Sequence, residues 1–350
     1  MVETIKAFLF LMIVFTPNDV ARAQPEGPGG RHMRAHTATV KKPVFFEPSN
    51  KRLDGSSQVH IKVSGGERII KSNGIPDHLV GRFPNCGNPH TIAEQDHYFK
   101  TTTKPSINRW LKELEGGWAF GVAVNGVPFE PLAAEWYKGR PDSVWRYEAL
   151  SGAIDLGADE NQAHVQPGGK YHYHGLPHGL LTAMNVNEDR HSPIIGWAAD
   201  GFPIYSLFGY SNKKNRSGGI SEFKSSFRLK AGDRSGFFSP NGDHDGAFNY
   251  DYEFVEGLGY LDQCNGTNVT TPDFPEGTYA YFLTKDWPII PRCFAGSPDF
   301  SFNSKGRGGP PGFGRGSKPV DCRKGPPGYG PPGEHRGPPS GHGHPRPPNR

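Results

Sequence analysis

Trp118-Ala119-Phe120-Gly121-Val122-Ala123-Val124-Asn125-Gly126-Val127-Pro128-Phe129 is the stretch on which the fold reading turns. Its first seven residues alternate as side chains do along a strand. Asn125-Gly126 follows, a pair that tolerates the positive φ of a two-residue hairpin turn, and Val127-Pro128-Phe129 resumes the apolar run. Ile194–Ala199, Asp200-Gly201 and Phe202–Tyr205 repeat that order of strand, turn and strand. Asn249–Val255 is expected to set Tyr250, Tyr252 and Phe254 on one face, with Asp251 and Glu253 on the other. Thr278–Thr284 is a further aromatic strand candidate. One short helix is expected over Pro105–Glu115, where Ile107, Trp110, Leu111 and Leu114 make an apolar stripe. Long Gly- and Pro-rich connections fill the rest. The expected fold is mainly β: an irregular antiparallel sandwich or barrel with long loops and a short helix.

Composition divides the chain into four parts. Residues 1–23 have the form of a signal peptide: Lys6 precedes the apolar run Ala7–Phe15, and Ala21-Arg22-Ala23 has the small-x-small form of a cleavage site. The run is too short to span a bilayer, although an uncleaved anchor fits the same pattern. Residues 24–77 are mixed and polar, and residues 78–303 hold nearly all the aromatic and turn signals of one β domain. Residues 304–350 form a Gly/Pro-rich low-complexity tail, expected to be disordered, whose glycines break the three-residue period that collagen needs. That tail carries nine Lys or Arg against Asp321 and Glu334, a balance of +7; the whole chain is +4, which leaves −3 before the tail. A flexible basic arm of this kind binds polyanions by long-range attraction, or acts only as a solubilising spacer. In a secreted, extracellular protein the polyanions are acidic polysaccharide, acidic matrix protein or a mineral surface. Nucleic acid is not expected, nor a membrane contact after signal cleavage.

The cysteines fit that compartment. Cys86, Cys264, Cys293 and Cys322 are an even set with no C-x-x-C pair, which points to disulfides and away from zinc fingers. Cys264 with Cys293 is the favoured pairing, since both lie in one strand-rich stretch; Cys86 with Cys322 would then tie the flanks. Asn215-Arg-Ser, Asn265-Gly-Thr and Asn268-Val-Thr are glycosylation sequons.

Chemistry centres on Tyr171-His172-Tyr173-His174-Gly175. In a strand, His172 and His174 share one face and Tyr171 and Tyr173 the other. Two imidazoles on one face are a bidentate metal platform, and the same spacing also suits histidines that merely hydrogen-bond. His164 lies across Pro167-Gly168-Gly169, a turn that could fold it back toward the pair. Asp251 and Asp262 are further ligand candidates, completing a zinc or copper site. Asp200 sits at an Asp-Gly turn, which explains it without a site. Asp243-His244-Asp245-Gly246 with Asp251 has the oxygen-rich look of a calcium loop, without EF-hand spacing; a solvated acidic turn is the favoured reading of the same residues. There is no G-x-S-x-G elbow, no H-E-x-x-H and no P-loop, so binding takes precedence over catalysis.

The phrases GVAVNGVPFEP, AHVQPGGKYHYHGLP, GWAADGFPIY, DYEFVEGLGYLDQCNG and FPEGTYAYFLT together resemble the YHYH domain family, over roughly Gly117–Phe302. The resemblance implies a secreted or envelope protein of unsettled activity, and it assigns no role to any residue. The expectation is a secreted matrix-type glycoprotein that binds a divalent metal or acidic ligands. A calcified organic matrix of shell or skeleton is one such setting. A secreted metal-dependent enzyme using His172 and His174, and a purely structural β domain, are the alternatives.

Overall fold

The computed structural model describes residues 36–304 except 217 and 237. The segments read as signal peptide and basic tail lie outside these residues, as does Cys322.

An open eight-stranded sheet organises the fold. In chain order its strands are β1 (Gly121–Ala123), β2 (Pro128–Phe129), β3 (Ala163–Val165), β4 (Tyr171–Tyr173), β5 (Gly196–Ala198), β6 (Pro203–Ser206), β7 (Gly266–Val269) and β8 (Thr278–Leu283). Across the sheet they run β7, β8, β6, β5, β1, β2, β4, β3. Neighbours are antiparallel except β6 with β8 and β2 with β4, so the sheet is mixed and does not close. The opening hairpin forms as its turn chemistry dictates: Val122 pairs with Pro128, and Gly126 takes a φ of 79°. β5 and β6 likewise meet over Asp200-Gly201, where Gly201 has a φ of 93°.

Three further features depart from the sequence expectations. The Pro105–Glu115 segment is not helical. It is extended, and Lys112–Glu113 pairs with Cys293–Phe294. Its backbone bonds outward, Asn108 N–H to Ala295 O and Leu114 N–H to Arg292 O, instead of along a helix. Of the supposed stripe only Leu114 is buried; Trp110 is 75% exposed. The one α-helix among the described residues is instead α1 (His178–Ala183), just after the YHYH strand. Asn249–Val255 begins as a 3₁₀ turn over Asn249–Asp251, and only Tyr252–Phe254 is a strand, pairing with Phe227–Leu229.

Residue 77 is not a boundary. Val59–Ser64, Glu67–Ser72 and His97–Thr102 form a three-stranded antiparallel sheet that crosses it. Ile70 from that sheet joins the main core with Phe99, Phe120, Phe129, Tyr173 and Tyr281. Fully burying side chains of this size contributes about 1.5–3 kcal/mol each, which explains how a polar-looking segment is drawn into the body. A second core gathers Trp145, Tyr147 and Phe248, and a third Tyr205, Phe223 and Phe282.

The Cys264–Cys293 disulfide forms, with its Cα atoms 5.1 Å apart. Cys86 is exposed, and its expected partner lies outside the described residues. The sequons separate by burial. Asn215 and Asn268 are exposed. Asn265 is fully buried, and its amide donates to Thr284 Oγ1 at 3.0 Å and to Pro288 O at 2.6 Å, so the folded chain offers it no room for a glycan. No helix among the described residues is long and apolar enough to cross a membrane.

Candidate metal centre

β3 and β4 place three histidines together. Gln166 N–H donates to Lys170 O at 2.9 Å, closing the turn between the strands. Gly168 and Gly169 hold φ values of 91° and 86° there, which residues with a Cβ rarely adopt. The register sets His164 directly opposite His172. Residues opposite one another in an antiparallel pair point to the same face, so His164 joins His172 and His174. The expected split of the YHYH strand, histidines one way and tyrosines the other, is what the chain adopts.

The imidazoles form a nearly equilateral group, with ring centroids 4.6, 4.7 and 4.7 Å apart. His172 Nε2 lies 3.0 Å from His174 Nε2, and one ring nitrogen from each residue falls within 4.8 Å of the others. His172 Nδ1–H donates to Lys170 O at 3.3 Å, and His164 Nδ1–H to Leu156 O at 3.1 Å. Asn88 Nδ2 donates to Val165 O at 2.9 Å and stands 3.2 Å from His164 Nδ1, holding the ring from that side. In the Nδ1–H tautomer these carbonyl contacts leave Nε2 as the ligating nitrogen, the arrangement metal-bound histidines take from their outer partners. His174 Nδ1 is buried and meets no hydrogen-bond partner.

Electrostatics keep the group neutral. Burial, with the adjacent His164, pushes His172 down to about 3. Burial and His172 push His174 well below the ordinary histidine range. Desolvation disfavours the imidazolium, and the neutral imidazole is the ligating form. Glu130 stands beside the group. Burial works to raise its carboxyl, but the Lys170 ammonium and the hydrogen bonds from Lys170 and Gln166 outweigh it and hold it at about 2. Its oxygens accept from Lys170 Nζ at 2.5 Å and Gln166 Nε2 at 2.6 Å.

The opposite face of the strand is pinned. Tyr171 O–H donates to Asp159 at 2.8 Å, and the Tyr173 hydroxyl accepts from Asn125 Nδ2 at 2.9 Å with His78 Nε2 at 2.6 Å. A strand fixed on both tyrosines holds its histidines in one rotameric frame. The triad lines a 780 Å³ cleft together with Trp118, Trp136 and Arg146.

The carboxylates expected as ligands are elsewhere. Asp251 is fully buried and accepts from Arg234 Nε at 2.7 Å and Nη2 at 2.6 Å. Asp245 accepts from the same Nη2 at 2.5 Å, so an arginine fills the supposed calcium loop. Asp262 caps its own turn, accepting from Cys264 N–H at 2.9 Å and Tyr279 O–H at 3.0 Å. Asp200 accepts from Tyr281 O–H at 2.5 Å and Gly296 N–H at 2.9 Å, a structural role in keeping with its turn. Among the described residues the three histidines are the one group of metal-ligating type. Reading the sequence missed Glu130, Gln166, Trp136 and Arg146. Glu130 alone left a trace, as the charge that ends an apolar hairpin; its place follows from Tyr173 pairing with Phe129, which no local pattern encodes.

No curated protein and no solved structure matches the sequence. A protein-family model described as YHYH protein matches residues 98–296, a span that holds the triad, the hairpin and the disulfide. Those motifs, in that order over more than half its length, make the chain a member of the YHYH protein family.

Proposed function

We propose that this protein binds a divalent transition metal, zinc or copper, through His164, His172 and His174. The observation that carries the reading is the convergence of three neutral, buried imidazoles in the lining of a cleft. Tetrahedral ligands about 2.0–2.1 Å from zinc stand roughly 3.3 Å apart, so the closest pair, at 3.0 Å, needs to move by only a few tenths of an ångström. An all-nitrogen set suits zinc or copper, and calcium, which takes oxygen ligands, does not fit it. Three protein ligands leave a fourth position for water or a bound molecule, on the side of the cleft.

Binding is favoured over catalysis by Glu130. A general base must be free to take a proton, and its oxygens are already engaged by Lys170 and Gln166. The setting is extracellular in this reading, a glycoprotein of a matrix that includes calcified ones. The Cys264–Cys293 disulfide supports it, with the signal-like amino terminus and the basic tail as docking arm for polyanions.

The test is elemental analysis of the secreted protein, purified without a histidine tag, beside a His172→Ala/His174→Ala double variant. Near one metal per chain is expected in the wild type and none in a variant that keeps its circular dichroism. Equal metal in both proteins, or none in either, sinks the proposal.

A further inference from the structure

Among the described residues, Arg146 in the cleft of the triad has no ion-pair partner. Arg146 begins the Arg146–Glu148 strand and is paired across the sheet with Trp136. Its guanidinium stacks on that indole at 4.3 Å, and its Nε is buried with no hydrogen-bond partner. Gly116 makes the room: a Cβ there would lie 2.7 Å from Arg146 Nη2. The neighbouring acids are spent elsewhere. Glu148 accepts from Arg292 Nη2 and Trp287 Nε1, both at 2.8 Å. Glu130 is held by Lys170 and Gln166. Burial, and after it the nearby Arg292, pushes Arg146 below its ordinary range.

A half-buried guanidinium left in this state matches an anion, and a carboxylate fits its fork with two parallel hydrogen bonds. One uncompensated charge matches a monoanion; a phosphate dianion would bring excess charge beside Glu130 and Glu135. The walls add a second requirement. Trp118 and Trp136 line the cleft, Trp136 with Arg146 stacked on its ring, and indole walls of this kind pack against the apolar face of a sugar ring while polar groups around its edge stay hydrogen-bonded. At 780 Å³ the space is within the range for ligands larger than a simple acid.

We propose that the cleft binds an acidic saccharide of the uronate class, its carboxylate on Arg146, its ring against the tryptophan walls and one of its oxygens in the open position of the metal. Only the last of these contacts rests on the metal reading.

Calorimetric titration of the zinc-loaded protein with a uronate trisaccharide, a neutral trisaccharide, acetate and inorganic phosphate tests the inference. The uronate is expected to bind about 10–100-fold more tightly than each of the others, since a charge-assisted hydrogen bond contributes about 1.5–3 kcal/mol. Arg146→Gln is expected to remove that preference while leaving the metal content unchanged. Arg146→Lys, which keeps the charge and the packing stem, serves where the glutamine variant does not fold, and is expected to retain only part of the affinity. Uronate and neutral sugar binding alike, acetate or phosphate matching the uronate, or either Arg146 variant binding as the wild type does, would overturn it. The two readings fail separately. Uronate binding that depends on Arg146 in a protein without metal keeps the saccharide site and removes the metal; a metal-loaded protein that ignores uronate does the reverse.

Discussion

At the residue scale, the same side-chain types end in different roles because of what their second atoms touch. His172 and His164 each spend Nδ1 on a backbone carbonyl and so, in the Nδ1–H tautomer, leave Nε2 as the ligating nitrogen. His164→Ala is therefore expected to cost at least about 100-fold in zinc affinity, and Asn88→Ala, which loosens the His164 ring, about 10–100-fold. Competition titration against a chromophoric chelator reads both; an Asn88 variant with wild-type affinity would remove it from the positioning set. Asp251, chemically as good a ligand as any, is unavailable because Arg234 sits on it with both side chains fully buried. Removing one partner of such a pair strands a buried charge. Arg234→Met is expected to destabilise the fold by about 3–5 kcal/mol in urea titration. A loss under 1 kcal/mol would show that the pair is solvated in solution.

At the element scale, turn chemistry and alternation did most of the work. The hairpin of β1 and β2, the β5–β6 hairpin and β8 stand where their residues placed them, because a Gly at positive φ and a period of two are local properties. The Pro105–Glu115 stripe fails as a helix for a non-local reason. The chain at Arg292–Ala295 offers its backbone to Asn108 and Leu114, and the Cys264–Cys293 disulfide anchors that chain. Opening the 29-residue loop with Cys264→Ser/Cys293→Ser is expected to cost about 3–4 kcal/mol, a loop-entropy figure. The loss of protection should reach Lys112–Glu113 by amide hydrogen exchange. Unchanged exchange there would show that the pairing holds without the disulfide.

At the scale of the whole molecule, a ligand bound only by the native state stabilises it by mass action. At 100 times its dissociation constant, zinc adds about 2.7 kcal/mol, which for a domain of this size raises the melting temperature by roughly 5–10 °C. Scanning calorimetry with zinc, and again after a chelator, is expected to show that rise and its loss. The same scan on the His172→Ala/His174→Ala variant should show neither, and a rise that persists there would place the zinc elsewhere.

The sequence by itself determined the β character, the direction of the YHYH side chains and the family, and it favoured the Cys264–Cys293 pairing that the structure then showed. Each depends on residues close in the chain, or on a cysteine set with few solutions. The tertiary structure alone decided that Asp251 belongs to Arg234, that Asn265 is buried and that Arg146 enters the cleft, and it fixed the register that sets His164 opposite His172. Those placements follow from strand register and from packing between segments distant in the chain, as Val40 N–H on Asp245 shows across 205 residues. Local propensity fixes where a strand can form, and burial of the whole core fixes which strand it meets.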